Sequence, residues 1–132
     1  MPVARAIAIH VSVPVLDLDE AERFYGKAFG ARTLNRSPEL ATMDVAGQRV
    51  ALRQVGQDSP SLQTNGCEGL RARHFGFGVA TPTEVDAASE RLPELGATVV
   101  VEPSDRVDGR SAVFCDRSGN QFEIYYQEAS DG

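Results

Sequence analysis

Tryptophan is absent from this chain, and histidine, cysteine and methionine occur only twice each. Two cysteines, Cys67 and Cys115, cannot make a disulfide framework. They are expected as unpaired small side chains, which suits a reducing, cytoplasmic setting. No apolar run approaches the ~18 residues of a membrane span, and the N-terminus shows no secretory h-region. A membrane partner is therefore not expected. Positive charge is also scarce, with 13 Lys and Arg against 19 Asp and Glu and a net charge of −6. That balance argues against nucleic acid or an anionic membrane as the main partner. A small molecule remains, even an anionic one, because one local arginine can dominate a pocket. At 132 residues, 42% hydrophobic and 24% charged, the chain suits one domain, 1–132, with a real core.

Two periodicities alternate along it. Ala4 to Val13 has period two, with Ile7, Ile9, Val11 and Val13 on one face and Ala6, Ala8, His10 and Ser12 on the other. This predicts a strand, ended by Pro14. Leu16 to Phe29 switches to helical period, with Ala21, Phe24, Tyr25, Ala28 and Phe29 in one stripe. Asp17 or Asp19 is the expected cap and Gly30 the expected stop. Strands are predicted over 31–36, 39–44 and 48–54. Gly, Ser, Gln, Asn and Pro then dominate to Leu70, which reads as a linker. The order begins again with a strand over 72–80, a helix over 83–95 capped by Thr83 and weakened at Pro93, and strands over 97–102, 111–116 and 120–127.

The chain is thus read as two tandem βαβββ units, about 4–55 and 71–128, joined by a linker at about 56–70. His10 matches His74, and Gly30-Ala31 matches Gly96-Ala97. Asp44-x-x-Gly47 matches Asp116-x-x-Gly119, which places Val50-Ala51-Leu52 on Phe122-Glu123-Ile124. The fold class is α+β, a half-open, barrel-like mixed sheet around a cleft. One strand face carries branched and aromatic residues for helices to cover. The other carries His10, Ser12, Ala51, Arg53, His74, Gly76, Gly78, Gln121, Glu123 and Tyr125. Small, polar and ionisable side chains line a cleft better than they fill a core.

Glu123 stands between Phe122 and Ile124 and needs a partner for its charge. His10 and His74 are ligand-type residues at equivalent places in the repeat. They can also be read as satisfied interior histidines, with Glu123 a structural acid. Arg53 shares a face with Ala51 and is either an anchor for a substrate anion or a solvated strand end. Tyr125 is a substrate donor, an acid, or a wall residue. Ser12 either hydrogen-bonds near a site or packs. Arg106 and Arg110 lie in a Gly-containing loop before the seventh strand, which either folds over the cleft or is simply solvated.

As a set, these residues resemble the vicinal oxygen chelate superfamily, which includes glyoxalases, bleomycin resistance proteins, extradiol dioxygenases and fosfomycin-modifying thiol transferases. The carriers are His10, Val15, Asp17-Leu18, Phe24-Tyr25 and Phe29-Gly30, then His74-Phe-Gly-Phe-Gly-Val79, then Asp116-x-x-Gly119-Asn120-x-x-Glu123. Arg117 replaces a proline usual in the last. The resemblance implies a divalent metal held by His10, His74 and Glu123, with Fe or Mn favoured and Zn or Ni as alternatives. It also implies a homodimer and a small-molecule substrate. Many relatives add a fourth ligand at the position of Ala51, which cannot ligate. Gln54 is nearby with the wrong parity.

Three ligands leave room for a chelating substrate together with O2, which favours dioxygenase-like chemistry. The family's extradiol enzymes usually add a histidine as an acid–base group, and both histidines are already used here. Glu123 and Tyr125 are then the candidate catalytic groups, with Ser12, Arg53 and Tyr125 as substrate contacts. The alternatives are a glyoxalase-type lyase or isomerase, a thiol transferase (although Val113 stands where a tyrosine is expected), or a non-catalytic binding protein.

Overall fold

A computed structural model describes residues 3–6, 10–62, 67 and 74–128. The chain divides into two compact units, residues 1–59 and 60–132. Unit one runs β1 (His10–Val15), α1 (Leu18–Phe29), β2 (Arg32–Arg36), β3 (Leu40–Val45) and β4 (Gln48–Gln54). Its sheet has the order β1-β4-β3-β2, with β1 parallel to β4 and the other pairs antiparallel. Val13, Val15, Ala41, Met43, Val50 and Leu52 are buried on the face that α1 covers with Leu18, Ala21, Phe24 and Tyr25. Each large apolar side chain buried in this way contributes about 1.5–3 kcal/mol. Asp17 is the cap of α1, accepting the Glu20 N–H at 3.1 Å, and Gly30 ends the helix at φ 68°.

Unit two repeats the plan with β5 (Phe75–Gly78), α2 (Pro82–Arg91), a 3-10 turn at Leu92–Leu95, β6 (Thr98–Arg106), β7 (Gly109–Cys115) and β8 (Gln121–Gln127). The order is β5-β8-β7-β6, again with one parallel pair, β5 on β8. Phe114 and Phe122 stack with ring centroids 5.7 Å apart. Phe75 stacks on the other side of Phe122 at 6.1 Å, and α2 lies against β7 and β8. The fold is α+β, two βαβββ units each built on a four-stranded mixed sheet.

Several local expectations are corrected. Pro14 does not end β1, which continues to Val15. β1 is an edge strand, so a residue lacking an N–H costs it little there. The cap of α2 is Thr81, not Thr83, in a capping box closed by Glu84. Pro93 lies outside α2, in the 3-10 turn. β6 does not stop near Glu102. Two register shifts carry it past Pro103 to Arg106, so Arg106 and Arg110 flank a hairpin turn and are not in an open loop. Cys67 and Cys115 are paired as a disulfide with Cα atoms 5.6 Å apart, against the expected free thiols, and the cysteine argument for a reducing compartment falls with them. The expected strand residues 7–9 and 72–73, and most of the linker from 63 onward, lie outside the described residues.

Candidate functional site

Strand register, more than local sequence, decides which side chains share a face. In unit one, Ser12 pairs with Ala51 across the parallel β1–β4 contact, and Ala51 pairs with Thr42 on β3. In unit two, Gly76 pairs with Glu123 across β5–β8, and Glu123 pairs with Val113 on β7. The two registers superpose, so Glu123 and Ala51 occupy equivalent places. His10 opens β1 and is exposed, directly opposite Arg49. Ser12 and Arg53 are exposed on the same face, with Arg53 opposite Pro14. Gln54 belongs to the helix-covered face. Its Oε1 accepts the Leu18 N–H at 3.0 Å, so it serves the start of α1 and is no ligand candidate.

The turn before β8 aims Glu123. Asp116 Oδ1 accepts the N–H groups of Ser118 and Asn120, each at 2.9 Å, and Gly119 takes φ 87°. The Asn120 amide also donates to Asp116 Oδ2 at 3.1 Å. The Asp-x-x-Gly-Asn sequence is therefore a structural device that fixes where β8 begins.

On unit two's open face the structure brings four groups together. His74 Nε2 lies 4.0 Å from Glu123 Oε2. Arg106 Nη2 donates to the same Oε2 at 3.1 Å, and Arg106 Nε donates to Ser111 Oγ at 2.6 Å. The Tyr125 ring lies flat over Gly76 and Gly78, where a Cβ at either position would meet ring atoms at 3.2 Å. These glycines give the ring its seat. Arg110 faces the other way, pairing with Asp86 of α2 and with Asp105, each at 2.8 Å. The hydrogen bonds it donates to Asp86 and then to Asp105 raise its pKa.

Ser111 was missed by sequence reasoning, and Arg106 was placed in a loop. The signal was the Asp108-Gly109 dipeptide, a hairpin mark. Arg106 pairs with Gly109 and Gly109 with Gln127, which puts Arg106 on the face of Glu123.

Among the described residues, no group of three His, Cys, Asp or Glu side chains is close enough to hold a metal ion. The His74–Glu123 pair fits one all the same. Neighbouring ligands with metal bonds of about 2.1 Å lie about 3.0–3.4 Å apart, so an imidazole nitrogen and a carboxylate oxygen at 4.0 Å would have to close by somewhat under about 1 Å, within side-chain reach, to share a cation. Among the described residues, no helix is long and apolar enough to cross a membrane.

A curated relative is the trivalent organoarsenical cleaving enzyme of Bacillus sp. (strain MD1), 25% identical over 128 residues that cover 92% of this chain and 73% of that protein. Among solved structures, UcmS2 aligns with TM-score 0.70 and 31% identity over 92% of this chain and 98% of that one. A glutamate-to-glutamine mutant of the fosfomycin resistance protein FosX from Listeria monocytogenes, complexed with Mn(II) and 1S,2S-dihydroxypropylphosphonic acid, aligns with TM-score 0.72 and 25% identity over 92% and 90%. The family model of the Glyoxalase/Bleomycin resistance protein/Dioxygenase superfamily matches residues 7–124, and the chain belongs to that superfamily.

Proposed function

We propose that this protein is a small metal-dependent enzyme that binds an oxygen-chelating small molecule at a divalent ion held by His10, His74 and Glu123. The observation that carries the reading is the His74–Glu123 pair, 4.0 Å apart on an open strand face. The FosX relative, complexed with Mn(II), supports a divalent metal, with Mn or Fe favoured over Zn or Ni. When bound, such an ion supplies Lewis-acid stabilisation of a developing oxyanion. The chain's own residues do the rest. Tyr125, whose ring lies over Gly76 and Gly78 with its hydroxyl nearest Gly78, is the proposed donor to substrate or proton source. Glu123 is the ligand that can also carry a proton. Ser12 and Arg53 are the further substrate contacts proposed. Ala51 stands where unit two has Glu123, so only three ligands are proposed and the remaining positions are left to substrate and a second reactant. That openness favours dioxygenase-like chemistry over a glyoxalase-type isomerisation or thiol transfer. We place the activity in a homodimer.

The test is elemental analysis of protein prepared without a chelating tag, alongside His74→Ala and Glu123→Ala. Full occupancy in the wild type and a loss of about 100-fold or more in affinity in both variants is expected. Oxygen uptake with catechols, set against a dicarbonyl–thiol screen, then separates the chemistries. A second reading has one observation behind it. Arg106 already neutralises Glu123, as it would in a metal-free binding protein using the same face. Protein that arrives without metal and takes up none on reconstitution would establish that reading and end the first.

A further inference from the structure

The metal reading leaves the Arg106 guanidinium unused. Arg106 sits at the last pair of β6, and its side chain reaches back over β7 to a carboxylate two strands away. It is 57% exposed, so packing does little to hold it, whereas Glu123 is 19% exposed and keeps much of its charge out of water. The two ends of the guanidinium are held differently. Nε donates to Ser111, a buried hydroxyl, while Nη2 donates to Glu123 Oε2. The first contact is a fixed pivot and the second lies on an oxygen that a cation would also seek.

We infer that Arg106 is an exchangeable counter-ion of Glu123 that sets the charge of the substrate. Without metal it neutralises the carboxylate. Once a divalent cation takes that oxygen, Nη2 loses its partner while Nε stays on Ser111. The fork then faces the site with its donors open. A planar guanidinium that is always charged matches a carboxylate in two-point contact. The substrate class is therefore an anionic oxygen chelator such as an α-hydroxy or α-keto carboxylate. This rests on the metal reading above and adds to it the residue that selects charge.

Two effects act in the same direction on the metal. Arg106 competes for Oε2, and its positive charge repels an incoming cation. Its effect on an anionic ligand has the opposite sign. The test uses Arg106→Gln, with Arg106→Met alongside to keep the aliphatic stem without the charge. Mn(II) affinity is measured by titration calorimetry. Glycolate and hydroxyacetone, which share two vicinal oxygens and differ in charge, are then compared on the Mn(II)-loaded protein by ligand proton relaxation. Both variants are expected to bind Mn(II) about two- to fivefold more tightly than wild type, a gain that shrinks with added salt. Both are expected to lose about fivefold or more of the preference for glycolate over hydroxyacetone. A purely structural role would weaken both ligands together. Unchanged or weaker Mn(II) binding, or an unchanged glycolate preference, overturns the inference while wild-type Mn(II) binding leaves the metal reading standing. If neither wild type nor variant binds Mn(II), both fall.

Discussion

Unit one and unit two share strand order, parallel pair and register, yet their open faces do different work. Ser12, Ala51 and Arg53 in the first stand where Gly76, Glu123 and Tyr125 stand in the second. Their hairpins differ as well. β2 and β3 have 5 and 6 residues, whereas β6 and β7 have 9 and 7. Each hairpin is tied to its own helix by an arginine, Arg36 to Asp19 and Glu22 in unit one, Arg110 to Asp86 in unit two. The longer hairpin also carries a further arginine, Arg106, onto the opposite face beside Glu123. The extra strand length in unit two brings one more side chain to Glu123.

Gly109 is where that extension is most easily broken. It pairs with Gln127, and a Cβ there would fall on the Tyr126 carbonyl oxygen and lie 2.9 Å from the Tyr126 carbonyl carbon. Backbone cannot swing aside as a side chain can. Gly109→Ala is expected to destabilise the protein by about 3 kcal/mol or more, read from denaturant unfolding. It should also release Arg106 from Glu123, because the strand end must splay. A loss below about 1 kcal/mol would mean that the longer hairpin is not held as tightly as the ladder indicates.

The two Asp-x-x-Gly turns offer the next contrast, for they look alike in sequence and are built differently. In unit one, Val45 pairs directly with Gln48, and Ala46 and Gly47 take φ 53° and 81°, a two-residue hairpin turn. Asp44 there is a ladder residue opposite Arg49 and Arg32. In unit two the ladder stops at Cys115 and Gln121, and Asp116 is a buried acceptor for two backbone N–H groups and the Asn120 side chain. Asp116→Ala is expected to cost about 2–3 kcal/mol, since it leaves those donors without their charged partner. Asp44→Ala should cost about 0.5 kcal/mol, the worth of a cross-strand charge pair. Equal losses in thermal or denaturant unfolding would erase the distinction.

This pair also shows what the sequence could and could not reveal. Counting from either Asp-x-x-Gly aligned Ala51 with Glu123 correctly, because the spacing from Gly47 to Ala51 equals that from Gly119 to Glu123, although β8 begins one residue later after its glycine than β4 does. Period two put Ser12, Ala51, Glu123 and Tyr125 on faces that the pairing bears out, and helical period found α1 and α2. Arg106 was assigned to a loop because the strand was expected to end at Glu102, while it runs on past Pro103 with two register shifts. Its partner was also out of reach of any local rule. The guanidinium spans two strands to meet Glu123, and contacts of that length depend on side-chain reach over a sheet. The cysteines escaped for a similar reason. They are 48 residues apart, and no spacing rule joins two single cysteines.

The finest contrast lies between Tyr125 and its counterpart Arg53. Tyr125 rests on two glycines, and a Cβ at Gly78 would sit 3.2 Å from its Cζ and Oη, closer than a comfortable contact. Arg53 pairs with Pro14 and has no such seat. Gly78→Ala should therefore lift the ring by a few tenths of an ångström and cost about 1 kcal/mol, even though alanine is the better strand residue. The interaction is isolated by a double-mutant cycle. In a Tyr125→Ala background, Gly78→Ala should be neutral or slightly stabilising, giving a coupling of about 1 kcal/mol. The matching cycle in unit one, Ser12→Ala with Arg53→Ala, should show additive effects. Additivity in unit two as well would mean that the glycines do not seat the ring, and that the position of the Tyr125 hydroxyl is set by something other than the bare strand beneath it.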